Sequence, residues 1–167
     1  MSKKDIDDPL AIVQEFENAV ATGWAEWEVT RAGGEKEFYR TKNSAIAGGL
    51  NYLAQLATGQ VTSFFNYISV GTVSDASSLA SGNWGEVGRK VQSQLTNSKS
   101  LMIVANTWGG AADSLTGIAL YSSALVNHVN SGQGSALAIV NSVGNVTLAD
   151  SDILLTRHLF RIGSHDI

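Results

Sequence analysis

The stretch from Tyr67 to Ile162 constrains the fold of this 167-residue chain more than any other feature. It consists of short apolar runs, among them 67–70, 100–105 and 153–160, with Gly, Asn, Ser and Asp between them. Several short runs separated by turn residues are typical of a sandwich or barrel. The pattern predicts strands near 64–71, 87–96, 99–107, 115–121, 135–141 and 152–162.

A β-hairpin is predicted ahead of this series. Residues 25–30 alternate between apolar and polar side chains, which is the pattern of a half-buried strand. Gly33 and Gly34 supply a hairpin turn, and residues 37–40 return as the partner strand. The hairpin adds two strands to the predicted sheet.

A helix is predicted directly after the hairpin. Asn43 is suited to cap its N-terminus, and the helix is expected to run to Ala57. Gly59 stands where a helix commonly ends with a residue in left-handed conformation. The inner face of the helix is formed by apolar residues at helical spacing: Ile46, Leu50, Leu53 and Ala57.

Residues 8–21 predict a second, amphipathic helix at the N-terminus. Asp8 is suited to the N-cap and Pro9 to the first helical position, where its missing N–H costs nothing. Its apolar residues recur at spacings of three, three and four and form one stripe: Leu10, Val13, Phe16 and Val20. A helix this short is marginal alone, so it is expected to dock either on its own domain or on a neighbouring subunit. We therefore divide the chain into an arm, 1–22, and a sandwich domain, 23–167.

Composition limits the classes of function. The chain has no cysteine, so neither disulfides nor thiolate metal sites hold it together. Its net charge of −4 argues against nucleic acid as a partner, because phosphate binding needs clustered Lys and Arg. Only 16% of residues are charged, against about 25% in a typical domain. A surface of small polar groups is easily desolvated and suits permanent packing against neighbouring proteins.

No apolar run approaches the roughly 18–20 residues that a membrane-spanning helix needs. The N-terminus, which begins Met1-Ser2-Lys3-Lys4-Asp5, lacks the apolar core and cleavage site of a signal peptide. We therefore expect synthesis and folding in a reducing cytoplasm, with no membrane partner.

Motifs of catalysis, cofactor binding and metal binding do not emerge from the sequence. There is no nucleophile elbow, phosphate-binding loop or His-x-x-x-His pair. A metal site from His158, His165 and Asp166 is conceivable, but a strand histidine followed by a solvated tail is the favoured interpretation. Glu86 and Arg89 are interpreted as a structural surface ion pair, worth about 0–1 kcal/mol. We expect a protein that is not an enzyme and carries no cofactor.

Two of the four tryptophans, Trp84 and Trp108, lie beside glycines in predicted loops. A loop tryptophan of this kind packs back over the end of a sandwich, anchors a protein interface, or stacks on a sugar. These three uses remain open at this point. The candidate assembly contacts are the apolar stripe of the arm and the two loop tryptophans: Leu10, Val13, Phe16, Val20, Trp84 and Trp108.

The order of these elements resembles that of a known group of proteins. The resemblance rests on the hairpin, the Asn-led helix and four short motifs: Tyr67-Ile68-Ser69-Val70-Gly71-Thr72, Glu86-x-x-Arg89, Trp108-Gly109-Gly110 and Gly117-Ile118-Ala119-Leu120-Tyr121. It resembles small virion proteins of tailed bacteriophages that have a β-sandwich fold and occur as capsid decoration (cement) proteins and as tail or fibre components. The likeness covers about residues 25–162.

The resemblance implies a mainly β fold: an antiparallel, jelly-roll-like β-sandwich with one embedded helix, to which we add the predicted N-terminal helical arm. It also implies a structural virion protein that binds the outer capsid lattice through non-covalent contacts. The expected partners are the major capsid protein and copies of the chain itself, as a homo-oligomer. A tail, collar or fibre component is one alternative. A carbohydrate- or receptor-binding module acting through Trp84 or Trp108 is another.

Overall fold

The computed structural model describes residues 23–45, 47–74, 83–98, 101–130, 133–140 and 143–161. The predicted arm, residues 1–22, lies outside these ranges. The elements within them are β1 (Gly23–Thr30), β2 (Lys36–Ala45), α1 (Ala47–Ala57), β3 (Tyr67–Gly71), β4 (Glu86–Val91), β5 (Gln94–Ser98), β6 (Leu101–Gly109), β7 (Ala119–Leu120), β8 (Ser122–Val126), β9 (Ala136–Val140), β10 (Val146–Thr147) and β11 (Ile153–Arg161).

Nine strands form one sheet, in the order β4-β3-β8-β9-β2-β1-β11-β6-β5. Every neighbouring pair in this sheet is antiparallel. β10 and β7 form a separate antiparallel pair. The prediction of a mainly β, antiparallel fold with an embedded helix is therefore confirmed for the described part of the chain.

The β1–β2 hairpin forms as its alternating pattern predicts. Ala25, Trp27 and Val29 are buried, while the residues between them are half-exposed. The turn is closed by a hydrogen bond of 2.9 Å from Arg31 N to Glu35 O. Gly34 has a φ of 87°, a backbone conformation that glycine adopts without steric cost. The predicted Gly33-Gly34 turn is confirmed.

The nine-stranded sheet folds over so that its two halves face each other. His158 on β11 lies 2.8 Å from Ser123 on β8, although these strands are not neighbours in the sheet. Gly88 on β4 lies against the Trp108 ring on β6, where an added Cβ would be 2.9 Å from a ring carbon. The main core lies between the halves, and its largest buried side chains include Trp27, Trp108, Phe65, Ile68 and Leu154.

Helix α1 begins later than predicted. Asn43 lies in β2, where its side-chain amide donates to Trp24 O at 3.3 Å, so it is not the N-cap. The prediction at the other end is confirmed, because Gly59 has a φ of 72°. The amides of Gly59 and Gln60 donate to Leu56 O and Gln55 O, which is the Schellman pattern of a helix C-terminus.

Several strand predictions need correction. The run 87–96 is divided between β4 and β5, which are separated by Gln92 and Ser93. Of the predicted strand 115–121, only Ala119–Leu120 forms a strand, which pairs with β10. Strand β8, which directly follows it, was not predicted. Its residues are all buried, so it lacks the polar alternation that marks a half-exposed strand.

Candidate binding surface

The one serine–histidine pair near catalytic geometry in the described residues is sealed inside the core. Ser123 and His158 are both fully buried, and the Ser123 hydroxyl also lies 3.1 Å from Ser69 O. The imidazole stacks on Phe160 at 6.3 Å between centroids. Burial lowers the pKa of His158 to about 4, so the ring is neutral near pH 7. No substrate reaches this pair in the folded state, and we assign it to packing between the sheet halves.

Arg31 lies at the centre of a polar cluster at one end of the hairpin. It donates two hydrogen bonds to Glu37, at 2.7 and 3.0 Å, and one to Asp152 at 2.8 Å. Tyr39 donates to the same Glu37 carboxylate. The hydrogen bond from Arg31 lowers the pKa of Glu37. The pKa of Asp152 is lowered mainly by the hydrogen bond from the Ala149 amide. This cluster joins the hairpin to the turn before β11 and is structural.

Among the described residues, no group of three or more His, Asp or Glu side chains is arranged to hold a metal ion. His165 and Asp166, which the sequence suggested as possible ligands beside His158, lie outside the described residues. The fully buried position of His158 supports its interpretation as a packed strand histidine.

Glu86 and Arg89 form the predicted ion pair, but the pair is buried. The side chain of Arg89 is 2% exposed, and its Nη2 lies 2.9 Å from Glu86. Its Nη1 donates to the carbonyls of His128, Asn130 and Gln133. The pair therefore ties the β8–β9 connection to β4. The prediction that it is a surface ion pair is wrong, because both side chains are buried.

Both candidate tryptophan contacts point into the molecule. Trp108 lies in β6 rather than in a loop, is 1% exposed, and donates to Thr156 Oγ1 at 3.0 Å. Trp84 does lie in a connecting segment, but it is 9% exposed. Neither ring offers a free face to a protein partner or a sugar. Of the three uses considered for these tryptophans, packing back on their own domain is the one that both side chains show.

Trp84 covers the outer face of one half of the sheet. It forms a second apolar cluster with Ala124 and Val126 of β8 and with residues of β9. The backbone of Trp84 passes so close to Gly71 that a Cβ there would lie 1.9 Å from Trp84 O. Ser122 donates to the same carbonyl at 2.9 Å. The outer face of β3, β8 and β9 is therefore not available as a binding surface.

The described residues leave the outer face of the other half uncovered. We call this surface the open face: the even-numbered residues Trp24–Thr30 of β1 and Lys36–Lys42 of β2, with the odd-numbered residues Ile153–Leu159 of β11. Residues opposite each other in an antiparallel sheet share a face. The register therefore places Glu26 between Arg40 and Arg157, and Glu28 between Phe38 and Leu155.

Charged side chains alternate in sign across the open face. Glu26 lies 3.4 Å from Arg40 and 3.8 Å from Arg157. Glu28 accepts from Lys36 at 2.6 Å and from Arg157 at 3.4 Å. The Lys36 hydrogen bond lowers the pKa of Glu28. These pairs place opposite charges next to one another across three neighbouring strands.

Basic residues exceed acidic ones on this surface. The open face carries Lys36, Arg40, Lys42 and Arg157 against Glu26 and Glu28, a net charge of +2 on a chain whose total is −4. Arg40 and Lys42 lie over the Trp24 ring, at 4.3 and 5.7 Å from its centroid. Within the described residues, Lys42 has no carboxylate in salt-bridge range. An acidic partner would complement this surface.

Apolar groups lie between the charges. Phe38 is 68% exposed, which makes it the most exposed large apolar side chain in the described residues. Ile153 is 47% exposed. A groove of about 260 Å³ is lined by Phe38, Glu26, Arg40 and Arg157, among others. This volume is below the roughly 300–1,000 Å³ of small-molecule pockets. A single side chain of a partner protein suits the groove better.

The open face was not identified from the sequence, although the signal was present. The hairpin register puts Tyr39 on the same face as the buried Trp27, so the adjacent Phe38 must point outward. The predicted contacts of the arm, at Leu10, Val13, Phe16 and Val20, lie outside the described residues.

No described helix is long and apolar enough to cross a membrane. Comparison with known proteins gives no match: no protein-family model, curated protein or solved structure is significantly similar to the chain.

Proposed function

We propose that this chain is a structural protein of a tailed-bacteriophage virion. In this proposal it is a decoration protein on the outer capsid lattice, and the open face is its contact surface with a neighbouring protein. The fold is a jelly-roll-like sandwich carrying the arm 1–22. The neighbours are the major capsid protein or further copies of the chain, and no chemistry is required of it.

The observation that carries the proposal is the open face itself. It is a sheet surface on which exposed Phe38 and Ile153 lie among charges already paired within the chain. Aromatic and arginine side chains are enriched in protein interfaces, and the open face carries Phe38, Arg40 and Arg157. Charges held in place before binding lose little side-chain freedom when a partner docks. A permanent contact with a neighbouring protein fits both properties.

The resemblance in element order supports the location in a virion, and the buried tryptophans bear on the alternatives. With Trp84 and Trp108 inside the domain, a carbohydrate site built on either ring has no supporting observation. A tail, collar or fibre component uses the same kind of surface and remains the alternative within the virion.

Copy number separates these locations. We expect purified particles to contain the chain in a fixed ratio to the major capsid protein, as measured by quantitative mass spectrometry with isotope-labelled peptides. A lattice protein gives a ratio near that of the lattice sites. A few copies per particle would instead assign the chain to the tail or fibre. Absence from particles that carry all their other components would refute the virion role.

A further inference from the structure

We infer that the open face binds the N-terminal segment, residues 1–22, of a second copy of the chain. The inference rests on the proposed role of the open face as a protein contact, and it names the occupant. The contact is asymmetric, because one copy contributes its segment and the next contributes its face.

Charge complementarity selects this segment. Residues 1–22 contain five acidic and two basic residues, a net charge of −3 out of the chain's −4. The open face, with net +2, carries two cations that lie over Trp24 and extend toward solvent, Arg40 and Lys42. Two open faces would repel each other, so a symmetric face-to-face dimer is disfavoured.

The apolar groups of segment and face also match. The segment carries an apolar stripe that includes Val13 and Phe16, and the face exposes Phe38 and Ile153. The groove beside Phe38 has room for one side chain. A 14-residue helix, as predicted for 8–21, is about 21 Å long. The eight residues of β1 span about 26 Å, so the segment covers the face along its strands.

The position of the segment favours a second copy over the same chain. The predicted helix ends at residue 21, and β1 begins at Gly23, which leaves one residue between them. To lie on the face of the strand that it precedes, the helix must reverse direction, and such connections take about 2–6 residues. A neighbouring copy supplies the segment without this constraint.

A contact between two different surfaces of the same chain has a geometric consequence. Each copy can give its segment to one neighbour and receive a segment from another. Such heterologous contacts close into rings or continue as open arrays, depending on the rotation between copies. Both arrangements agree with a protein that is packed repeatedly around a particle.

The test is the solution mass of the full chain, measured by light scattering after size exclusion over a range of concentrations. We expect the mass to rise above that of a monomer, and an excess of the synthetic peptide 1–22 to return it to the monomer value. A peptide with the same residues in scrambled order should have no effect. High salt should weaken the association, because the attraction is between charged surfaces.

A pair of matched variants locates the contact on the face. Arg40→Gln with Lys42→Gln removes two positive charges from the face and should weaken association about tenfold. Gln60→Glu with Thr62→Glu changes the net charge by the same amount at exposed positions of the α1–β3 connection, and should leave association unchanged. Circular dichroism melts confirm that both variants fold.

A chain that stays monomeric at all concentrations would overturn the inference, as would association that the peptide or the face variant leaves unaltered. These outcomes are separate from those of the particle experiment. A chain that associates as expected but occurs in no virion would refute the proposed function alone. A virion protein that is monomeric in solution would refute this inference alone.

Discussion

At the scale of single residues, two buried polar side chains determine how parts of the fold are held together. Arg89 reaches from β4 to three carbonyls of the β8–β9 connection while pairing with Glu86. Removing one partner of such a buried pair typically costs about 3–5 kcal/mol, because the other charge is left uncompensated. His158 joins β11 to β8 through Ser123 and is held neutral by burial.

The buried His158 predicts a loss of stability in mildly acidic solution. Its folded pKa, about 4, lies below the ordinary value of 6.5, so the unfolded chain takes up the proton first as pH falls. The stabilisation is complete above about pH 6.5 and is lost as pH falls toward 4. We expect the free energy of unfolding to fall by about 2 kcal/mol between pH 7 and pH 5.

Denaturant unfolding across this pH range measures the effect. A His158→Gln variant should show a flatter profile than the wild type, whatever its absolute stability. If His158→Gln fails to fold, NMR titration of the His158 imidazole in the wild-type protein replaces it. Protonation of His158 near pH 6.5 in the folded protein would contradict the prediction.

At the scale of elements, the crossing of Trp84 over β3 requires a glycine. A side chain at Gly71 would clash with backbone, which cannot rotate away as a flexible side chain can. We expect Gly71→Ala to destabilise the protein by about 2–4 kcal/mol, because the Trp84 segment must move off the sheet. Thermal unfolding followed by tryptophan fluorescence measures this cost.

The same substitution at Gly33 is the matched control for Gly71→Ala. Gly33 lies in the hairpin turn with no atom within 4 Å of an added Cβ, so Gly33→Ala should change stability little. Equal destabilisation by both substitutions would show that the close approach of Trp84 to β3 is not what makes Gly71 necessary.

The elements that the sequence predicted well are those with one buried and one exposed face. β1 shows strict alternation and was predicted, whereas β8, SSALV, is buried on both faces and shows none. Asn43 is a good N-cap by local chemistry, yet the β1 strand beside it offers the Trp24 carbonyl and keeps it in β2. In these places contacts between distant segments outweigh local preference.

The candidate surface could be predicted only in part, for the same physical reason. Which residues of the hairpin point outward follows from alternation and the turn. That β11 lies beside β1, so that Arg157 joins Glu26 and Glu28, depends on a pairing across more than 120 residues. Local periodicity carries no information about such a pairing. The contacts predicted from the sequence therefore include the two loop tryptophans and omit Phe38.

At the scale of the whole molecule, the two outer faces of the folded sheet differ in whether other parts of the same chain cover them. One face is covered by Trp84, which packs there in an apolar cluster. The other exposes Phe38 and Ile153 among paired charges. If the open face is a contact surface, changes there should affect assembly without affecting folding, and changes at other exposed apolar positions should affect neither.

The variant Phe38→Ser with Ile153→Ser tests this separation directly. Both side chains belong to the exposed class, at 68% for Phe38 and 47% for Ile153, so we expect the free energy of unfolding to change by less than about 1 kcal/mol. In particles assembled with the variant, the number of bound copies should fall at least tenfold, because two apolar contacts of the interface are lost. Val129→Ser, at a loop position that is 60% exposed, should keep both the stability and the copy number. Wild-type occupancy with the double variant would show that particles hold the chain through another surface, and reduced occupancy with Val129→Ser would move the contact to the β8–β9 connection.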